Sequence, residues 1–194
     1  MPPKAKITKE QVIEAAAGLV RSKGVAGLTA KSLAAELHCS TQPIFWLFEG
    51  MEEVRAAVKE RALAVFGSYL REKRENASAY KSIGLNYIRF ASEETEFFKM
   101  LFMSDSAGAD ILASHEEKPY VLRVLEEEEN IKGARAQDIY EVMWLFSHGI
   151  ATMIATGTAK FTQDRIREML TSVYRGLIAC GHAETQAQNE GKKS

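Results

Sequence analysis

The stretch Leu28–Phe48, LTAKSLAAELHCSTQPIFWLF, decides the fold, because its pattern predicts two short helices joined by a tight turn. Thr29 is placed to cap the first helix with its side-chain hydroxyl. Leu33, Ala34 and Leu37 then recur at helical spacing and form one apolar stripe. The first helix is therefore expected to bury this stripe against its neighbours.

The second helix of the stretch begins after a break in the apolar pattern, and Ser40 is expected to cap it. Pro43 falls in its first turn, where a missing backbone N–H is tolerated. Ile44 and Phe48, four residues apart, are expected to face the first helix. Packing against the first helix does not account for the other side chains of this helix. They form a polar and aromatic face of Thr41, Gln42, Phe45 and Trp46. Such a face on a short, supported helix is typical of a helix-turn-helix, whose second helix lies in the DNA major groove.

Residues 7–60 resemble the DNA-binding domain of the tetracycline-repressor-like (TetR) family of bacterial transcription regulators. The pattern of the family's first helix is matched at Ile13, Ala16, Ala17, Val20 and Gly24, followed by Leu28 and Thr29. Its helix-turn-helix pattern is matched without a gap at Thr29, Lys31, Leu33, Ala34, Cys39, Ser40, Ile44, Phe45, Phe48 and Val54. The resemblance implies an all-α protein with an N-terminal three-helix DNA-binding domain and a C-terminal helical domain for ligand binding and dimerisation.

Eight residues are predicted to contact DNA: Thr29, Lys31, Ser40, Thr41, Gln42, Pro43, Phe45 and Trp46. Lys31 stands where the family commonly has a DNA-contacting Arg, and its ammonium can hold a phosphate but cannot form the planar fork that recognises guanine. The basic segment Met1–Lys9 is either a solvated tail or an arm that contacts phosphates.

Three departures from the family pattern leave a second interpretation open. Phe45 stands where the family usually has Tyr, Leu47 where it often has His, and Met51 where it usually has Lys. Each change removes a polar group that could be directed at a phosphate. The alternative is a helical dimer of the same fold that binds a small molecule or a protein and has weak or no specific DNA binding.

Composition narrows the class of protein. The chain has 194 residues, 46% of them hydrophobic, with four prolines and a net charge of −1, which suits a helical globular protein. Its two cysteines lack metal-ligand spacing, and no apolar run approaches the ~20 residues of a membrane span, so we expect a cytoplasmic protein. The histidines, cysteines and serines form no catalytic constellation, and the acidic run Glu126–Glu129 is typical of a solvated face. We therefore expect no enzymatic activity, no cofactor and no metal.

The domain boundaries follow from the remaining apolar patterns. We expect a DNA-binding domain over residues 1–50, a helical domain over residues 51–181 and a disordered tail over residues 182–194. The helices predicted in the second domain are Met51–Arg74, Ala79–Glu93, Glu96–Met103, a helix from Pro119 to the acidic run, Arg135–Gly157 and Gln163–Cys180.

The last two predicted helices indicate a homodimer. Arg135–Gly157 is apolar nearly all round, which is typical of a helix buried on several sides. Gln163–Cys180 carries a sustained apolar seam, and the predicted dimer contacts are Ile166, Met169, Leu170, Val173, Tyr174 and Leu177. Pairing both helices with their copies in a second chain would make a four-helix bundle.

A small apolar or aromatic ligand is the other predicted partner, besides an operator in double-stranded DNA. The segment Trp144–Gly149 resembles a C-terminal domain type of the same family with a Trp, His, Gly signature on its penultimate helix. The residues predicted to line the cavity are Tyr87, Phe97, Phe98, Phe102, Met103, Trp144 and His148. The alternative is that these side chains pack in an ordinary core, because cores and adaptable pockets use the same residue types.

Overall fold

A computed structural model describes residues 7–75, 77–103 and 117–191 of the chain, and only the backbone of residues 181–191. Within these residues every regular element is a helix, which confirms the predicted all-α fold. The helices are α1 Lys9–Lys23, α2 Ala30–Glu36, α3 Gln42–Phe45, α4 Met51–Arg71, α5 Ala79–Glu93, α6 Thr95–Phe102, α7 Lys118–Glu129, α8 Ala134–Ala155 and α9 Gln163–Gly191, with a 3₁₀ turn at Val25–Gly27. Among the helices of this described part, none is both long and apolar enough to cross a membrane.

The chain folds into two compact units. Unit one comprises Met1–Gly67 and Glu93–Ala109, and unit two comprises Ser68–Ser92 and Asp110–Ser194. The division falls inside α4 and at the end of α5. Unit one, as a compact unit, therefore includes α6 and most of α4 in addition to the helix-turn-helix.

Helix α1 begins and ends where its sequence predicts. The Thr8 hydroxyl accepts a hydrogen bond from the Gln11 amide at 3.2 Å, and the Gln11 side chain accepts one from the Thr8 amide at 3.0 Å. This reciprocal pair is a capping box, which Thr8 and Gln11 signal by their three-residue spacing. Gly24 ends the helix with φ of 69°, a conformation that favours glycine. The face of α1 that is buried carries Val12, Ala16, Ala17, Leu19 and Val20.

The aromatic residues of α6 belong to the core of unit one. Phe97 and Phe98 are fully buried, and the Phe102 ring packs edge-on against Phe66 with centroids 5.2 Å apart. The Arg21 guanidinium of α1 lies 4.5 Å from the Phe97 ring centroid and pairs with Glu94 at 2.7 Å. These contacts attach α6 to α1 within unit one.

Unit two is built from the end of α4 together with α5, α7, α8 and α9. Arg71, the last residue of α4, pairs with Glu117 just before α7. The fully buried Asn86 donates from Nδ2 to the carbonyl oxygen of Glu72 at 2.7 Å. Glu128 accepts hydrogen bonds from the amides of Ala79 and Tyr80, at 2.8 and 3.0 Å, and so caps the N-terminus of α5. One member of the predicted solvated acidic face thus also has a structural role.

The last helix is longer than its sequence predicts. The apolar pattern predicts an end at Cys180 and a disordered tail over residues 182–194, whereas the backbone of α9 is helical to Gly191. The residues after Gly181 contain no proline and are rich in Ala, Glu and Gln, which have high helix propensity. Gly181 therefore does not end the helix. Residues 192–194 lie outside the described residues.

Candidate DNA-binding surface and ligand cavity

The first helix of the helix-turn-helix is fixed at its start by Thr29. Its hydroxyl accepts a hydrogen bond from the Ser32 amide at 3.1 Å, and Ser32 Oγ accepts one from the Thr29 amide at 2.9 Å. The predicted N-cap is confirmed, with Ser32 completing a capping box. Because this hydroxyl already accepts the capping hydrogen bond, the main role of Thr29 is to fix the start of α2.

The turn between α2 and α3 depends on one left-handed residue. His38 has φ of 53°, a region that His visits more readily than most residues other than glycine, Asn and Asp. The Cys39 amide then donates to the Ala34 carbonyl oxygen at 2.9 Å, which closes the end of α2. This turn sets the direction in which α3 leaves.

Helix α3 is short, and its cap differs from the predicted one. Thr41, rather than Ser40, occupies the cap position, and it makes no side-chain capping bond. Thr41 has helical backbone angles, φ −69° and ψ −21°, where a capping residue usually has extended ones, and Pro43 at the second helical position lacks one of the N–H groups that a capping hydroxyl could accept from. Helical hydrogen bonds nevertheless continue beyond the assigned helix, as the Phe48 amide donates to the Ile44 carbonyl oxygen at 3.0 Å.

Two apolar side chains hold α3 and the turn after it in place. Ile44 is fully buried, and Phe48 is 2% exposed. The ammonium of Lys9 lies 4.7 Å from the Phe48 ring centroid and pairs with Glu53 at 2.9 Å. Lys9 is therefore engaged with the start of α4.

The outward face of α3 is open to solvent, as predicted. Trp46 is 73% exposed and Phe45 is 43% exposed, values that are high for large aromatic side chains. The side chains of Ser40, Thr41 and Gln42 are also exposed, whereas Pro43 is half-buried.

Lys31 is the exposed cation of α2, and it forms no ion pair with any described residue. Other basic groups of unit one are already paired, Arg55 with Glu52 and Arg61 with Glu14. The ammonium of Lys31 is thus available to a phosphate.

In unit two, three of the residues predicted to line a cavity come together. The Tyr87 hydroxyl lies 3.0 Å from Nδ1 of His148, and the His148 ring stacks on Trp144 with centroids 4.8 Å apart and planes 5° apart. The Trp144 ring meets Tyr87 edge-on at 6.4 Å. Of the other predicted residues, Phe97, Phe98 and Phe102 are in the core of unit one, and Met103 follows α6 with 41% of its surface exposed.

The same part of unit two contains a cavity and an adjoining recess. The inner cavity has a volume of about 40 Å³ and is lined by Leu70, Tyr80, Ile83, Gly84, Tyr87, Val121, Tyr140, Met143, Trp144 and Ser147. The outer recess has a volume of about 180 Å³ and is lined by Ser78, Tyr80, Lys81, Gly84, Met143, Leu170, Thr171, Tyr174 and Arg175. The two spaces share Tyr80, Gly84 and Met143.

Most of these lining residues were missed by the sequence analysis, although a signal existed. Tyr80, Gly84 and Tyr87 follow one face of α5 at spacings of four and three residues, and Tyr140, Trp144 and Ser147 repeat this spacing on α8. A tyrosine face that includes a small residue on each of two helices could have indicated a lined space.

Burial shifts the pKa values of the titratable side chains in and beside the cavity. It raises the pKa of Tyr80, Tyr87 and Tyr140, so their hydroxyls stay protonated and can donate hydrogen bonds. Burial also lowers the pKa of His148, which keeps the imidazole neutral at pH 7 and lets Tyr87 donate to its Nδ1. The Tyr140 hydroxyl is buried and makes no hydrogen bond with the described residues, so an acceptor in the cavity would satisfy it.

Helix α8 also presents an apolar face to solvent. Val142 is 42%, Leu145 is 54% and Met153 is 46% exposed. On α9, the predicted dimer residues fall into two groups, because Ile166 and Leu170 are buried within the chain itself, while Met169, Val173, Tyr174 and Leu177 are half-buried.

Comparison with known proteins identifies the fold. No protein-family model and no curated protein sequence matches the chain. A protein of unknown function from Rhodococcus sp. RHA1 has a solved structure similar to this one, with a TM-score of 0.69, 20% identity, and 91% of this chain and 98% of that chain covered. A TetR-like transcriptional regulator from the same organism gives a TM-score of 0.65, 17% identity, and coverage of 92% and 99%. A TetR variant from Acinetobacter baumannii AYE in complex with minocycline gives 0.58, 18%, and coverage of 92% and 98%. The chain therefore has the all-helical fold of the TetR-like transcriptional regulators.

Proposed function

We propose that the protein is a DNA-binding transcription regulator, most simply a repressor, that leaves its operator when a small ligand occupies the cavity of unit two. The observation that carries this proposal is the exposed face of α3, where Thr41, Gln42, Phe45 and Trp46 stand on a helix anchored by Ile44. Packing gives no reason for such a face, whereas a major groove offers contacts for each of these side chains.

A homodimer is the form that we propose binds the operator. The exposed apolar face of α8, with Val142, Leu145 and Met153, supports an interface there, and the half-buried residues of α9 would extend it. A dimer presents two recognition helices, which fit successive major grooves only when they stand about 34–36 Å apart or a multiple of that distance.

Ligand control is proposed to act through α4. This helix begins directly after Gly50, at the end of the helix-turn-helix, and its last turn contributes Leu70 to the cavity wall. A ligand that repacks the wall around Leu70 would favour one placement of α4 over another. If only one placement spaces the recognition helices correctly, the ligand weakens DNA binding, with a coupling of about 1–3 kcal/mol.

The expected ligand is small and mainly apolar or aromatic, because the inner cavity is lined by aliphatic and aromatic side chains together with hydroxyls. The similar TetR variant in complex with minocycline supports the idea that this fold can hold a polycyclic molecule. A regulator of this kind would act in the cytoplasm, where the two free cysteines would stay reduced.

Gel-shift titration against the DNA upstream of its own coding sequence tests the regulator proposal. We expect a discrete complex that weakens steeply as salt rises, since phosphate contacts release counterions. A scrambled duplex of equal length should bind more weakly, and Trp46→Ala should remove most of the difference between the two duplexes.

The second candidate function is a helical dimer that binds a small molecule but no specific DNA. Phe45, Leu47 and Met51 favour it, because each lacks a polar group that could be directed at a phosphate. If natural and scrambled duplexes bind equally weakly at low salt, this second function replaces the first.

A further inference from the structure

We propose that the ligand of unit two is an organic acid whose anionic group lies in the outer recess and whose apolar body extends into the inner cavity. The inference rests on the proposed function only in taking this cavity as the ligand site. It requires neither DNA release nor dimerisation.

The outer recess carries two cations from different helices. Lys81 of α5 and Arg175 of α9 both line it. Within the described part of the chain neither is in an ion pair, whereas Arg165 and Arg167 of the same α9 pair with Glu168 and Asp164. Two unpaired cations in the lining of one recess would favour an anion through charge-assisted hydrogen bonds.

Two acids lie near the recess, and within the described part of the chain neither pairs with Lys81 or Arg175. Tyr174, at the recess, has a pKa raised first by burial and then by Glu129 and the charge of Glu128, so both carboxylates are close to it. The Glu128 carboxylate accepts hydrogen bonds from the amides at the start of α5. Both carboxylates are exposed to solvent, which screens their charge.

Gly84 marks the passage between the outer recess and the inner cavity. It lines both spaces, and a Cβ atom at this position would lie 3.5 Å from Cδ1 of Leu170 and 3.8 Å from Oγ of Ser147. Alanine therefore fits but occupies space between the two compartments, and a larger side chain would fill more of it. The absence of a side chain here lets an elongated molecule reach from Lys81 and Arg175 to the inner wall.

The inner cavity suits the body of such an acid rather than its charge. Among the residues that the structure describes, no charged side chain lines it, and its polar groups are tyrosine and serine hydroxyls and the indole of Trp144. The unsatisfied Tyr140 hydroxyl can donate to an acceptor on the body. Aromatic rings can also bind organic cations, but Lys81 and Arg175 in the adjoining recess would repel them.

Isothermal titration calorimetry with matched acid and amide pairs tests the proposal. The probes are 4-phenylbutyrate against 4-phenylbutanamide, and decanoate against decanamide, with 4-phenylbutylamine as the cation. We expect the better acid to bind at least about tenfold more tightly than its amide, since bonds to a charged partner are roughly twice as strong as neutral ones. The preferred acid shows whether the body is aryl or alkyl.

Variants locate the anionic group. Replacing both cations, Lys81→Met with Arg175→Met, should bring the acid down to the affinity of its amide, while the matched Arg165→Met should leave the acid preference intact. Gly84→Leu should weaken the acid and its amide alike, and Gly18→Ala, in open space on α1, is the control for removing a helical glycine. Circular dichroism establishes that each variant is folded.

Four outcomes overturn the proposal: equal affinity for acid and amide, tighter binding of the amine, binding of none of the probes, or an acid preference that survives the double variant. DNA binding is measured separately by gel shift. If the acids bind as expected without changing DNA affinity, the proposed ligand class is supported and the proposed release from DNA is refuted. If the protein binds DNA specifically but does not bind the acids, the regulator proposal is supported and the proposed ligand class is refuted.

Discussion

Gln42 and Lys31 are both exposed in the helix-turn-helix, yet they offer DNA different chemistry. The Gln42 amide has one donor and one acceptor side, which together match the N6 and N7 positions of adenine in the major groove. The Lys31 ammonium has donors only and matches a phosphate oxygen. The first group can therefore specify a base, and the second can only add affinity.

Gln42→Ala should relax the base preference at one position of each half-site, at a cost of roughly 1–3 kcal/mol on the preferred DNA. Lys31→Ala should weaken binding to all sequences alike and reduce the slope of log affinity against log salt by about 1. Fluorescence anisotropy on duplexes varied one base pair at a time measures both effects. Equal losses on every duplex for both variants would remove Gln42 from base recognition.

His148 should make stability depend on pH in a defined direction. Burial lowers its pKa in the folded state below the ordinary 6.5, so the unfolded chain binds more protons between these two pKa values. Stability should therefore fall as pH drops from 6.5 toward the folded-state pKa, and protonation should also break the bond from the Tyr87 hydroxyl.

Thermal unfolding of the wild type and of His148→Gln between pH 5 and 8 measures this contribution. On acidification, the melting temperature of the wild type should fall further than that of His148→Gln. His38→Asn is the matched control, because His38 is exposed and Asn also tolerates its left-handed backbone. Parallel pH profiles for the wild type and His148→Gln would show that His148 does not lower the stability of the protein on acidification.

At the scale of the helix, the apolar face of α8 should hold two copies together. Leu145→Glu places a charge on a residue that is 54% exposed, so the chain should fold normally and lose its dimer. Sedimentation velocity over a range of concentrations measures the change, and Leu145→Met should remain dimeric. A well-folded monomer for the unmutated chain would refute the proposed interface.

Leu170→Glu gives the contrasting result at the same scale. Leu170 was predicted as a dimer contact, but it is only 3% exposed within one chain. A charge there should unfold unit two instead of dissociating a dimer, because a buried, unpaired charge is costly. The apolar seam of α9 predicted a buried face correctly, and the sequence alone could not say whether a partner or the chain itself covers it.

The starts of α1 and α2 were predictable because their signals are local. Thr8 with Gln11, and Thr29 at α2, sit within three residues of the amides that they cap. The start of α3 differs from the prediction because Thr41 already has helical backbone angles and Pro43 lacks one of the N–H groups that a capping hydroxyl could accept from. The end of α9 was missed because glycine permits a helix to stop but does not require it.

At the scale of the whole molecule, the two candidate sites differ in how far the sequence could predict them. The candidate DNA-binding face lies within one turn and one short helix, so the exposure of Thr41, Gln42, Phe45 and Trp46 could be predicted from spacing alone. The cavity is formed by side chains of α4, α5, α7 and α8, whose pairing no local pattern specifies. Phe97 and Phe98 resembled pocket residues in composition but lie in the core of unit one. Tyr80 and Tyr140 were overlooked although they line the space.

The two tryptophans of the chain have a practical consequence for anyone who studies it in solution. Trp46 is 73% exposed on the candidate DNA-binding face of unit one, and Trp144 stacks on His148 beside the cavity of unit two. A water-exposed indole emits at longer wavelength than a sheltered one, and an adjacent imidazole can quench emission. Trp144→Phe therefore leaves an intrinsic fluorophore on the candidate DNA-binding face of unit one, and Trp46→Phe leaves one beside the cavity of unit two. Each unit carries its own optical reporter, so the proposed binding of DNA and of ligand can be followed separately without attaching a dye.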